Sequence, residues 1–134
     1  MAIQFVPVVR ENPPITAPLA AQAELAQVLE RSCYDCHSNQ TRWPWYASVA
    51  PVSWLVARDV DRGRHELNFS AWDGYSTVKK AKRAREVVKM VEKREMPLWL
   101  YLGLHPRARV TPGELEQLRA WSATLQPAPA PPLQ

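Results

Sequence analysis

Apolar residues recur at intervals of three and four in four stretches of this chain, and nowhere alternate with polar ones over a strand's length. The first stretch covers residues 18–36. It opens at Pro18, a favoured first-turn residue, and aligns Leu25, Leu29, Cys33 and Cys36 on one face. The second begins near Ser48 with Pro51 in its first turn, turns Val52, Leu55, Val56 and Val60 inward, and stops at Gly63, a residue suited to the left-handed position after a helix. The third covers residues 77–94 with a narrow stripe of Val78, Ala81, Ala84, Val88 and Val91. The fourth carries a capping box, Thr111 as N-cap with Pro112 first and Glu114 third, and an apolar face of Leu115, Leu118, Trp121 and Leu125. The pattern predicts an all-α fold of about four helices.

Proline sharpens the boundaries. Of thirteen prolines, eight lie near the ends, at positions 7, 13, 14 and 18 and at 127, 129, 131 and 132. Residues 1–14 are therefore expected to be extended, residues 15–126 to form the ordered domain, and residues 127–134 to be a Pro-rich tail. Two cysteines in 134 residues cannot scaffold a fold, and 46% hydrophobic residues are too many for a disordered polyampholyte. No apolar run approaches the roughly 18–20 residues of a membrane helix. The first ten residues lack the basic leader and small-residue cleavage site of a secretory signal.

The net charge of +4 is localised. Residues 77–95 hold eight basic and three acidic side chains, a net of +5, which leaves −1 for the rest. Such a helix either docks an acidic partner or is a solvated face. Nucleic acid is not expected, because no aromatic residue interleaves the basic run to stack bases.

The chemistry concentrates in Cys33-Tyr34-Asp35-Cys36-His37. CxxC alone would serve a thiol redox pair. A structural zinc site needs four ligands, and no second CxxC or HxxxH pair is present. Covalent haem attachment uses all five positions: two thiols that add across the porphyrin vinyls and an imidazole directly after them for the iron. The five positions point to covalent attachment of one haem, haem c, with a thiol redox protein as the competing reading. Trp43, Trp45, Tyr46 and Trp54 follow closely and are either haem-pocket rings or plain core, and Arg42 is a candidate partner for a haem carboxylate. Candidates for the second axial ligand are Met90, Met96, His65 and His105. Met96, directly before Pro97, is best placed for a turn to present its thioether, and such ligation suits electron transfer.

The stretches CYDCHSNQTRWPWY, PVSWLVARDVDRGRHELNFSAW, REMPLWLYLGLHPRARVTPGELEQLRAW and QFVPVVRENPP together resemble the bacterial haem-binding domain family of monohaem c-type cytochromes. The resemblance covers about residues 3–125. It implies a cytochrome c-like fold, haem joined to Cys33 and Cys36, His37 as proximal ligand and Met96 as distal ligand. It further implies a periplasmic protein whose native precursor is anchored to the inner membrane by an export segment removed ahead of Met1. The strongly basic third helix is a departure from the family that leaves the partner's identity open.

The function expected is a one-electron carrier between redox proteins, an acidic partner being steered to the haem edge or to residues 77–95. A haem-based ligand sensor or weak peroxidase with a displaceable distal ligand is the alternative. No enzymatic constellation is legible: four glycines furnish no phosphate loop, Asp59 and Asp61 face different ways on a helix, and Ser70 and Ser76 lack an evident base.

Overall fold

The computed structural model describes residues 2–134, and Met1, where the removed export segment was expected to end, lies outside the described residues. Every regular element among them is helical. There are six α-helices in place of about four: α1 (Ala23–Ser32), α2 (Tyr34–His37), α3 (Val52–Glu66), α4 (Thr77–Glu92), α5 (Trp99–Leu104) and α6 (Pro112–Thr124). Short 3-10 turns at Ala2–Phe5, Trp45–Ser48, Phe69–Gly74 and Pro106–Ala108 punctuate them. None of these helices is long and apolar enough to cross a membrane. The chain forms two compact units, Met1–Gly74 and Tyr75–Gln134.

In the first unit, α2 packs on α1 and α3, and the Trp45–Ser48 turn packs on α3. Its core is Val28, Leu29, Val60, Leu67, Phe69 and Trp72. Phe69 stacks on Trp72 at 5.8 Å and on Tyr34 at 5.6 Å, which ties the CxxCH segment to the core through aromatic faces. The helix expected from Pro18 to Cys36 is shorter at its start and broken near its end. Residues 16–19 instead run along the 69–70 backbone, Thr16 and Ala17 donating to the Ser70 carbonyl and Leu19 to the Phe69 carbonyl. Cys33, at φ −127°, separates α1 from α2.

Residues 2–19 form a strap. Within the 3-10 turn at Ala2–Phe5, Gln4 exchanges hydrogen bonds with the Ala50 backbone; beyond it Arg10 donates to the Ala47 carbonyl and Asn12 to the Thr41 carbonyl.

The second unit is built on α4 and α6, which pack together, and on α5, which packs on the Pro106–Ala108 turn. The capping box forms as expected, with Thr111 and Glu114 each bonding the other's backbone N–H. Ser76 caps α4, accepting from the Lys79 N–H. At the far end of α4, Arg94 adopts φ +58°. The Glu95 N–H reaches the Met90 carbonyl and the Arg94 N–H reaches that of Val91, a Schellman closure with arginine in the position usually held by glycine.

Two expected apolar faces differ. On α4, Ala81 and Ala84 are buried, whereas Val78 is exposed because it lies in the first turn, ahead of the α6 contact. On α6, Leu118 and Ser122 are buried while Leu115 and Trp121 are only half-buried, since the small Ser122 sits where the helices approach.

Candidate haem site

The site is organised by the junction of α2 and α3. The expected helix stop at Gly63 is not one: α3 runs on to Glu66, and no glycine has positive φ. Gly63 serves close approach instead. A Cβ placed there would lie 2.4 Å from the Cys36 carbonyl oxygen, well inside van der Waals contact, so only glycine lets α3 lie against the CxxCH turn.

That approach positions His37. Its Nδ1 lies 2.9 Å from the Gly63 carbonyl oxygen and 3.0 Å from that of Leu67. Both neighbours are acceptors, so Nδ1 carries the proton and Nε2 the lone pair. Burial pushes the imidazole pKa down, against an upward pull from the bonds to Leu67 and Gly63. The ring is therefore held neutral in the tautomer a metal ligand requires.

Cys33 and Cys36 are free, half-buried thiols. Burial pushes Cys33 up to about 12, with a smaller push from Cys36. Cys36 rises to about 11, chiefly through burial and secondarily through the carboxylates of Asp35 and Asp59. A thiol redox pair depends on a stabilised thiolate, and this environment disfavours one. Among the described residues, no three His, Cys, Asp or Glu side chains converge as a metal cage would require.

The segment after the motif is held by buried polar groups. Ser38 donates to the Tyr34 carbonyl at 2.7 Å, Thr41 donates to that of Asp35 at 2.7 Å, and Asp35 accepts from the Arg42 N–H at 3.0 Å. Arg64, which the sequence reading missed, is the main tie. It donates to the Ser38 carbonyl at 2.8 Å, and at 2.9 Å to the Glu11 carbonyl, the Asn12 side chain and the Thr41 hydroxyl. All four acceptors are neutral. The i+1 position after Gly63 was its only sequence signal, and that signal says nothing of partners 50 residues away.

The remaining candidates scatter. The Arg42 side chain is mostly exposed and its guanidinium lies 3.4 Å from the Asp35 carboxylate. Trp43 is half-buried; its ring lies 5.9 Å from the Arg64 guanidinium, and its indole N–H is buried without a hydrogen-bond partner. Trp45 is 77% exposed and packs edge-on against Tyr46 at 5.8 Å. Trp54 is exposed on α3. Val52 and Leu55, expected to be buried, are exposed as well. They share with Val56, Asp59 and Gly63 one arc of α3, the arc that meets Cys36 through Gly63, while Ser53 and Val60 point into the core. The apolar part of that arc is therefore only partly covered, Val56 being half-buried.

His65 is exposed and its Nδ1 lies 3.3 Å from the Asp61 carbonyl, on the side of α3 away from Gly63. In the second unit, Met90 and Met96 are half-buried, Met96 follows the Schellman closure of α4, and His105 stacks on Tyr101 at 4.5 Å.

The profile of the haem-binding domain family matches residues 1–124, and the chain belongs to that family. No curated protein and no solved structure matches it. The residues of the first unit fit a haem on their own geometry. His37 offers Nε2, two protonated thiols stand beside it, a partly exposed apolar arc of α3 adjoins them, and the buried Trp43 N–H has no hydrogen-bond partner among the described residues.

Proposed function

We propose that this haem-binding domain is a monohaem c-type cytochrome that carries single electrons between redox proteins in the periplasm. The observation that carries the reading is His37, pinned by two carbonyls through Nδ1 at the end of a CxxCH turn whose thiols are free. In this reading Cys33 and Cys36 would hold the haem covalently, each S–H adding across one vinyl C=C with no leaving group and no oxidant. His37 would bind the iron through Nε2 and Met96 through its thioether.

The group supplies a one-electron iron couple. The chain supplies fixed ligands, so that neither bond breaks when an electron arrives or leaves. Trp43 would donate its indole N–H to a haem carboxylate, and Arg64 places a positive charge beside that ring. The partly exposed arc of Val52, Leu55 and Val56 would give the macrocycle an apolar wall, and Trp45, Tyr46 and Trp54 would extend it. Packing of the helices about the haem is cytochrome c-like, as the family resemblance implies. The site of action is the periplasm, where CxxCH chains are matured, with the native precursor anchored to the inner membrane.

Maturation in a bacterial periplasm tests this. Haem is expected to survive acid–acetone extraction and to give a pyridine haemochrome with both vinyls saturated. Extractable haem would refute covalent attachment. Met96→Ala should convert a six-coordinate low-spin spectrum to a high-spin or ligand-accepting one. An unchanged low-spin spectrum would remove Met96 from the iron.

A further inference from the structure

The exposed side of α4 carries a feature that the haem site does not use. Lys82, Arg85, Lys89 and Lys93 succeed one another at steps of three, four and four, forming one exposed row along about 16 Å of helix axis. The acids of the same helix do not cancel it. Glu86 is taken by Arg83 at 2.7 Å, and Glu92 by Arg119 of α6 at 2.9 Å, an arginine that also pairs with Glu116 of α6, on the far side of the groove from the row. Arg85 is held by the side-chain oxygen of Gln126, a neutral acceptor that orients the guanidinium and leaves its charge intact. Gln126 is fixed in turn by donating to the carbonyls of Ala81 at 3.1 Å and Ser122 at 3.0 Å.

Beside the row lies an open groove between α4 and α6, lined by Arg85 and Lys89, by the Glu92–Arg119 ion pair and by the apolar Val88 and Ala123. No aromatic side chain lines it, so nothing there would stack a base. Oriented cations beside an apolar lining complement carboxylates on a short chain, and about five extended residues span the same length.

We propose that the α4–α6 groove is a docking surface for an acidic segment of a protein partner, seated against Lys82, Arg85, Lys89 and Lys93. The inference goes beyond haem binding and does not depend on it. Fluorescence anisotropy with a labelled octaglutamate peptide and the full chain tests it. Binding is expected at low salt and should weaken steeply as salt rises. The combined substitution Lys82→Gln, Lys89→Gln and Lys93→Gln should weaken binding about tenfold. Replacing the three by arginine should retain it. Ala123→Trp, which fills the groove without changing charge, should weaken binding severalfold.

An equal loss of charge elsewhere, Arg62→Gln with Arg107→Gln and Arg109→Gln, should change binding less than about twofold. A loss there as large as in the lysine variant would overturn the proposal, since net charge alone would then explain binding. So would capture of the chain by phosphatidylglycerol vesicles with no binding of the peptide. That outcome would assign the row to a membrane surface. Neither result would bear on whether haem is attached at Cys33 and Cys36.

Discussion

The CxxCH segment of the unit Met1–Gly74 is held by side chains that reach far along the sequence, whereas in Tyr75–Gln134 the helix ends are set by signals only a few residues apart. Longer ties in the latter, such as Arg119 to Glu92 and Gln126 to Ala81, only join helices already formed. In the first, Arg64 bonds partners 23 to 53 positions away and Asn39 bonds the Pro14 carbonyl across 25. In the second, Ser76 caps Lys79, Thr111 caps Glu114, and Arg94 closes α4 within four residues. The difference follows from what each must hold. A helix hairpin satisfies its own backbone, so caps and a stripe of small residues suffice. A segment that must present two thiols and an oriented imidazole has little regular structure, and its backbone polar groups need partners brought from elsewhere.

The sharpest way to break this contrast is Gly63→Ala. In an ordinary helix interior the change would stabilise by up to ~1 kcal/mol. Here the added Cβ meets the Cys36 carbonyl, so a net loss of about 2–3 kcal/mol is expected in urea unfolding. A gain in stability would show that α3 does not lie against the CxxCH turn. Arg64→Ala comes next, at about 2 kcal/mol, because it strips donors from the Ser38 carbonyl and the Thr41 hydroxyl together with the strap. Limited proteolysis should then cut within residues 2–19. Arg64→Lys should not restore protection, since an ammonium cannot span four acceptors.

Smaller effects sharpen the other side. Thr111→Ala should cost about 1 kcal/mol through loss of the capping box. Hydrogen exchange should show the loosening confined to the first turn of α6. Arg94→Gly should instead stabilise by up to ~1 kcal/mol, since glycine adopts the left-handed conformation without a Cβ penalty. A destabilised Arg94→Gly variant would mean that the arginine side chain contributes more than its backbone strain removes.

The same contrast explains what the sequence made legible. The all-α class and the cap of α6 were readable because capping boxes and helical stripes are local. The Schellman closure of α4 was not, since arginine occupies the glycine position. The break at Cys33 and the late start of α1 were hidden as well: residues 16–19 donate to the 69–70 backbone, a tertiary choice with no local mark. Gly63 was visible as a glycine but misassigned, because close approach and a left-handed stop use the same residue for different reasons. At the site, CxxCH stood out from spacing alone. The carbonyls that orient its histidine belong to Gly63 and Leu67, backbone groups that every residue possesses and no sequence pattern reveals.

The strap has a mechanical consequence. Its ties are met in order from the N-terminal end: Gln4 to Ala50, Arg10 to Ala47, Asn12 to Thr41, then Thr16, Ala17 and Leu19 to the 69–70 backbone. A pull applied near residue 2 would load these ties one at a time, as in unzipping, and each resists with only ~0.5–1.5 kcal/mol. The segment could thus lengthen by some tens of ångströms, at about 3.3–3.6 Å per freed residue, before force reached α1. Arg64, beside the Gly63 carbonyl that holds His37, takes up the load at Glu11 and Asn12. The strap would act as a compliant leash that absorbs tension until the pull reaches residue 11.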